Sequence, residues 1–403
     1  MKNQHKLTAN LANFRLQRIA YFFVFLFLLN SCSKNSDVTP ANQYLVKSEK
    51  IGAFTLDQLK TRISAFSPQF AAVLQKGITV YKITYKTINT DGTSIQASGA
   101  VLVPDSPSAA SLVSFQHGTI MDNADAPSAY GTNSESGTIG SLMASLGYIV
   151  AYPDYIGYGA SSALPHPYEH RQSLASSSLD MLRATKEFMV QEKTNWDKKL
   201  YIAGYSEGGY ATLCLQKKIE EEASTEFNLR ASSCGAGAYD KSAFVKYILN
   251  NKTSGANTTN QFYVWVLLTY DRIYKLNRPT NTYFREPYAT QVQSLKEKVS
   301  IGGSLDAVIT DSFKKGINDG TDTGFLTAVK DNDVFDWKPV TPTRLYHGTA
   351  DVTVYPFTSE NAIKAMKAKG ATDVQYVPFA GKDHGSAISD YLQATYLFFS
   401  SVQ

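Results

Sequence analysis

Beyond residue 100 the chain alternates between short apolar runs and stretches of helical period, and this alternation narrows the possible folds more than any other feature of the sequence. Leu112 to Phe115, Tyr148 to Tyr152, Leu200 to Ala203, Arg344 to Tyr346 and Val374 to Pro378 read as strands. Between them, Leu174, Met181, Leu182, Phe188 and Met189 fall on one helical face, and Ala211, Cys214, Leu215 and Ile219 fall on another. Strands separated by helices predict an α/β fold, a mostly parallel central sheet with helices on both faces. Upstream, Ile78 to Tyr85 and Ser94 to Val103 flank a turn at Asn89 to Gly92 and predict a hairpin closed by Pro104. A 43% hydrophobic content supports a large buried core and excludes a disordered, collagenous or coiled-coil chain. From about 240 to 337 the alternation stops, and helical aromatic runs such as Phe262 to Leu268 take its place. This stretch is expected to be a helical cap inserted over the sheet, its aromatics serving packing or substrate contact.

The beginning of the chain reads as an address. Lys2, Lys6, Arg15 and Arg18 precede an unbroken apolar run of 11 residues, Ile19 to Leu29, and no carboxylate occurs before Cys32. Spanning a bilayer takes about 20 residues, so the run suits a secretory signal instead. Leu29-Asn30-Ser31-Cys32 resembles the lipobox of bacterial lipoproteins, with Asn30 departing from the usual small residue. Residues 1–31 are then expected to be a signal peptide, Cys32 a lipidated first residue, 32–76 a tether and N-terminal segment, and 77–403 the folded domain. The expected location is the bacterial cell envelope, held to a membrane through the Cys32 lipid anchor, with plain secretion as the alternative. Without the signal, basic and acidic residues balance, which leaves no electrostatic footprint for nucleic acid, and no protein partner is implied. Cys214 and Cys234 lie in apolar or small-residue stretches and are expected to be buried thiols rather than a disulfide.

The chemistry concentrates in Gly204-Tyr205-Ser206-Glu207-Gly208, set between a strand and a helix. A turn that sharp needs glycine on both sides of the serine, exposes its hydroxyl above the strand ends, and leaves the Glu207 amide at a helix N-terminus. A serine hydroxyl becomes a nucleophile only when a base takes its proton and an acid holds that base in the right tautomer. His384, in Lys382-Asp383-His384-Gly385 after the last strand, is the expected base, and Asp351, just beyond the preceding strand, the expected acid. Asp383 is a weaker candidate because it adjoins His384, and His347 is expected to support Asp351 structurally. His166 and His170 are four apart like a metal pair, but Pro165 and Pro167 break the helix that would align them, so no metal site and no cofactor is expected. Oxyanion donors are expected from the Glu207 amide and from Gly118 or Thr119, in the loop Gln116-His117-Gly118-Thr119.

Together with Gly204 to Gly209, the His117-Gly118 loop, Tyr152-Pro153-Asp154-Tyr155 through Gly159, His166-Pro167-Tyr168, Asp351 and His384 look like α/β-hydrolases of the secretory lipase group, over roughly residues 78 to 400. The resemblance implies a serine esterase or lipase with a helical lid after the sixth strand, acting on a small-molecule or lipid ester. An exported serine peptidase, or an inactive anchored binding protein on the same scaffold, would share these features.

Overall fold

A computed structural model describes residues 42–402. The signal, the lipobox and Cys32 lie outside the described residues. Within them, nine strands form one sheet in the order β1-β2-β3-β5-β4-β6-β7-β8-β9. These are β1 (Leu45–Phe54), β2 (Ile78–Ile88), β3 (Ser94–Pro104), β4 (Ala110–Gln116), β5 (Ile149–Pro153), β6 (Trp196–Tyr205), β7 (Asn228–Gly235), β8 (Thr343–Gly348) and β9 (Val374–Phe379). β1, β2 and β3 run antiparallel, β3 meets β5 antiparallel, and from β5 to β9 every pairing is parallel. The hairpin pairs Ile78 with Pro104 and Ile88 with Ser94, as its turn sequence predicts.

Alternate residues of the central strands feed two cores, as a period of two requires. Val113, Val150 and Ala203 face a cluster with Leu59, Ile63, Met143, Tyr391 and Phe399. Leu112, Ile149 and Ile202 face Leu179, Leu182, Phe188, Leu215 and Ile219 from the helices Arg171–Gln191 and Glu207–Glu222. Between β7 and β8 the chain leaves the sheet for the helices Lys241–Asn250, Asn257–Ile273, Tyr288–Leu295, Asp311–Asn318 and Thr323–Asp331. This helical cap has a core of its own, with Val264, Tyr270, Phe284, Ile309, Phe313 and Phe325 almost wholly buried.

Two elements differ from the sequence expectation. The sheet starts at Leu45 rather than in the hairpin: β1 pairs along β2, and the Glu187 carboxylate accepts the amides of Gln43, Tyr44 and Leu45 at 2.8, 3.0 and 2.6 Å. Its outer position leaves most of Leu45–Phe54 exposed, so no apolar run marks it. β7 carries Ser232 and Ser233 fully buried between β6 and β8, where small residues replace the usual Val or Ile. Cys214 and Cys234 are both buried and free. No helix among the described residues is long and apolar enough to cross a membrane.

Candidate active site

Ser206 stands between the last residue of β6 and the first residue of the helix Glu207–Glu222, with φ 60° and ψ −124°. A non-glycine residue in that region bears about 1–3 kcal/mol of strain, which the surroundings must hold in place. They do so by backbone contact. A Cβ on Gly204 would lie 2.4 Å from the Gly208 carbonyl oxygen, one on Gly208 would lie 2.0 Å from the Gln116 oxygen, and one on Gly209 would lie 2.0 Å from the Gly235 oxygen. The helix start is therefore pressed against the ends of both β4 and β7, and the serine hydroxyl is left above the sheet.

His384 lies in the loop between β9 and the helix Ile388–Ser401, and Asp351 lies three residues past β8. The two loops are pinned together: the Ala350 amide donates to the Lys382 oxygen at 3.0 Å, and Gly348 approaches the Lys382 backbone too closely to admit a Cβ. The Tyr205 hydroxyl donates to the His384 carbonyl at 2.8 Å. As a result His384 Nε2 is 2.9 Å from Ser206 Oγ, and His384 Nδ1 is 2.6 Å from Asp351 Oδ2. The other carboxylate oxygen, Oδ1, accepts the amides of Thr353 and Val354 at 2.8 and 3.0 Å. His347 Nε2 stands 3.3 Å from Oδ2 and 2.7 Å from the Val354 oxygen, so it supports the acid from behind. Burial opposes ionisation of Asp351, but the hydrogen bonds and charge of His347 and His384 outweigh it and hold the carboxyl well below the usual range. An ionised Asp351 only accepts, which assigns the proton to Nδ1 of His384 and leaves Nε2 to accept from the serine hydroxyl. Asp383 faces elsewhere, its carboxylate accepting from the Gly385 and Ser386 amides.

In the loop after β4 the two candidate donors differ in their partners. The Gly118 amide donates to Glu135 Oε1 at 2.9 Å. Glu135 Oε2 accepts the Tyr152 hydroxyl at 2.7 Å. Burial pushes the Glu135 carboxyl up, against the pull of His117 and of these donors. Among the described residues, the amides of Thr119 and Glu207 have no hydrogen-bond acceptor. The Thr119 hydroxyl meets the Tyr168 hydroxyl at 2.8 Å, and the Tyr168 ring stacks on Trp265 of the helical cap at 4.4 Å. His166 and His170 do not converge. His166 Nε2 meets Glu207 Oε1 at 2.8 Å, while His170 Nδ1 faces Ser173 Oγ at 2.9 Å and burial pushes its imidazole down to about 4.

Two spaces open on Ser206. One is a cavity under the cap, walled by Phe244, Val245, Ile248, Phe262, Val266 and Leu267 among others. The other is an open groove bordered by Thr61, Arg62, Gly118, Asn133, Thr138 and His384. Sequence reading did not single out Glu135, Glu169 or Lys241, which line these spaces, because lone charges in aromatic surroundings carry no spacing signal; Tyr168 stood in a quoted motif without a role.

The profile of the family described as Secretory lipase matches residues 126–393. Among solved structures, the chain is similar to the rice cell wall degrading esterase LipA from Xanthomonas oryzae, with 23% identity, 89% of this chain and 97% of that one covered, and a TM-score of 0.77. A protein from Legionella pneumophila is 25% identical over 89% of this chain and 98% of that one, with a TM-score of 0.80. Candida antarctica lipase A in its closed state shares the fold at 17% identity and a TM-score of 0.60, over 88% of this chain and 83% of that one. No curated protein matches the sequence. With the profile covering well over half of the residues and the α/β-hydrolase architecture in place, this chain belongs to the secretory lipase family and is a carboxylic ester hydrolase.

Proposed function

We propose that Ser206, His384 and Asp351 form the catalytic triad of this ester hydrolase. The observation that carries the reading is the continuous hydrogen-bond chain from Ser206 Oγ through the His384 ring to Asp351 Oδ2, at 2.9 and 2.6 Å. Ser206 Oγ attacks the ester carbonyl carbon as its proton passes to His384 Nε2, and Asp351 stabilises the imidazolium that forms. The oxyanion is received by the Glu207 and Thr119 amides, the two donors at this position without an acceptor. His384 returns the proton to the departing alcohol. Water then enters and attacks the acyl carbon as His384 takes its proton, and His384 gives that proton to Ser206 Oγ as the bond to the acyl group breaks and the acid leaves. The acyl part occupies the apolar cavity under the cap, and the alcohol faces the open groove with its hydroxyl and amide side chains. Ser206→Ala is expected to abolish hydrolysis of p-nitrophenyl butanoate and labelling by a fluorophosphonate while keeping the melting temperature; retained turnover would sink the assignment.

We also propose that the protein is exported and held to the cell envelope by acyl chains on Cys32, on the strength of the basic and apolar leader and of Leu29-Asn30-Ser31-Cys32. Family membership supports export in general. Mass spectrometry of the purified protein should find a diacylglyceryl adduct at Cys32 and none in Cys32→Ala; an unmodified Cys32 in the envelope fraction would refute the anchor.

A further inference from the structure

The cavity under the cap is apolar except for a few hydroxyls and one pair of charges. Lys241, only 1% exposed, donates through Nζ to Oε2 of Glu169, itself 7% exposed. Lys241 Nζ also stands over the Tyr210 ring, 4.1 Å from its centroid. Two opposite charges taken out of water lose more hydration than their attraction commonly returns, and a pair of apolar side chains would fill this wall at lower cost. Glu169 additionally holds φ 51°, the left-handed region that a non-glycine residue enters only when the surroundings impose it.

The pair is also incompletely satisfied. Among the described residues Glu169 Oε1 accepts no hydrogen bond, and of the three N–H groups on Lys241 one is taken by Glu169 and one side faces the Tyr210 ring. Both residues line the same cavity as Ser206. The Tyr210 amide donates to the Ser206 carbonyl at 3.1 Å, and Tyr168, the neighbour of Glu169, bonds the Thr119 hydroxyl. The charged pair and Ser206 therefore wall one and the same cavity, the one that an acyl chain would enter.

We propose that Glu169 and Lys241 select esters whose acid part carries a hydroxyl close to the ester carbonyl, the hydroxyl donating to Glu169 Oε1 and accepting from Lys241 Nζ. A carboxylate at that place would meet the charge of Glu169 and an ammonium that of Lys241. A hydroxyl, both donor and acceptor and without charge, complements both. The proposal rests on Ser206 being the nucleophile, and it names the acid that this nucleophile receives.

The test uses the full chain with methyl butanoate and both enantiomers of methyl 2-hydroxybutanoate and methyl 3-hydroxybutanoate, each rate divided by that for alkaline hydrolysis. At least one hydroxy ester should exceed methyl butanoate in kcat/KM by about tenfold or more, as a hydrogen bond to a charged group allows, and should exceed its own mirror image. Mirror images hydrolyse at equal rates in alkali, so that preference can come only from the pocket. In the double variant Glu169→Gln, Lys241→Met both ratios should fall towards one. Because each ratio is measured on a single preparation, partial misfolding cancels, and a double variant that does not fold leaves the wild-type ratios to decide. Methyl butanoate matching or exceeding all four hydroxy esters would overturn the proposal while leaving the esterase reading intact. Unchanged ratios in a folded double variant would overturn it as well, reducing the pair to a fastening of the cap. Failure to cleave any of the five esters would overturn it together with the triad.

Discussion

Replacing Asp351 by Asn tests the proton relay at its most constrained point. The substitution is nearly isosteric, yet the two oxygens of the carboxylate are not equivalent. Oδ1 accepts two backbone amides, from Thr353 and Val354, at 2.8 and 3.0 Å. An Asn side chain turned to place its NH2 there would oppose two donors with a third, so the amide nitrogen has to occupy the Oδ2 position, 2.6 Å from His384 Nδ1. Facing an N–H, the ring can then only accept at Nδ1, which moves its own proton to Nε2 and points it at Ser206. In that tautomer His384 has no lone pair for the serine proton. A wrong tautomer of this kind costs about 10⁴ in kcat, or about 5.4 kcal/mol of transition-state stabilisation. Turnover of p-nitrophenyl butanoate at pH 7.5, corrected for correctly folded protein by circular dichroism, measures it. A loss below about tenfold in a folded variant would show that Asp351 does not set the tautomer. The same substitution has a pH signature. The Asp351 carboxyl is held below its ordinary value, so its contribution to stability is present above about pH 4 and fades as the pH falls further. The gap in unfolding free energy between wild type and Asp351→Asn should therefore narrow on acidification; a gap that widens would mean the carboxyl is not stabilised as an anion.

Gly208→Ala puts a methyl group 2.0 Å from the Gln116 oxygen and 2.8 Å from that of His117, so β4 and the helix start have to separate. We expect destabilisation of at least about 1–3 kcal/mol, read in urea unfolding, with a parallel fall in kcat as the Glu207 amide is displaced; wild-type stability and turnover would count against the backbone contact. Burial pushes the thiols of Cys214 and Cys234 up to about 12, so in a Cys32→Ala chain neither should react with Ellman's reagent at pH 8 until denaturant is added, when two thiols per chain should appear.

Much of this architecture was legible in the sequence because it rests on periodicity and on glycine. Strands buried on both faces show as apolar runs, unbroken in β5 and over Leu200 to Ala203 of β6 and interrupted only by Ser114 within Leu112 to Phe115 of β4, and the hairpin of β2 and β3 is declared by Asp91-Gly92. β1 and β7 were not legible for opposite reasons. One lies at the exposed margin of the sheet and alternates weakly, while the other is so tightly enclosed that serines take the place of branched side chains. Ser206, Asp351 and His384 could be singled out as candidates because each follows the end of a strand. The use of the Gly118 amide by Glu135 could not be placed, since it depends on a carboxylate 17 residues away that no spacing rule connects to the loop. Nor could the Glu169 and Lys241 pair, whose partners come from a loop and from a helix of the cap and meet only in three dimensions.

The way glycine is used around Ser206 divides the molecule into a fixed part and an adjustable one. At Gly204, Gly208 and Gly209 the opposing surface is main chain, which no neighbouring substitution can trim back, so these positions have no route to another residue that leaves the hydroxyl where it is. The walls of the buried cavity are built differently, from side chains that belong to the separate core of the inserted helices. A change at Leu267 can be absorbed by repacking within that core without reaching the sheet. New substrate preferences in this scaffold are thus to be sought by reshaping the inserted helices, with the reacting machinery carried along unaltered.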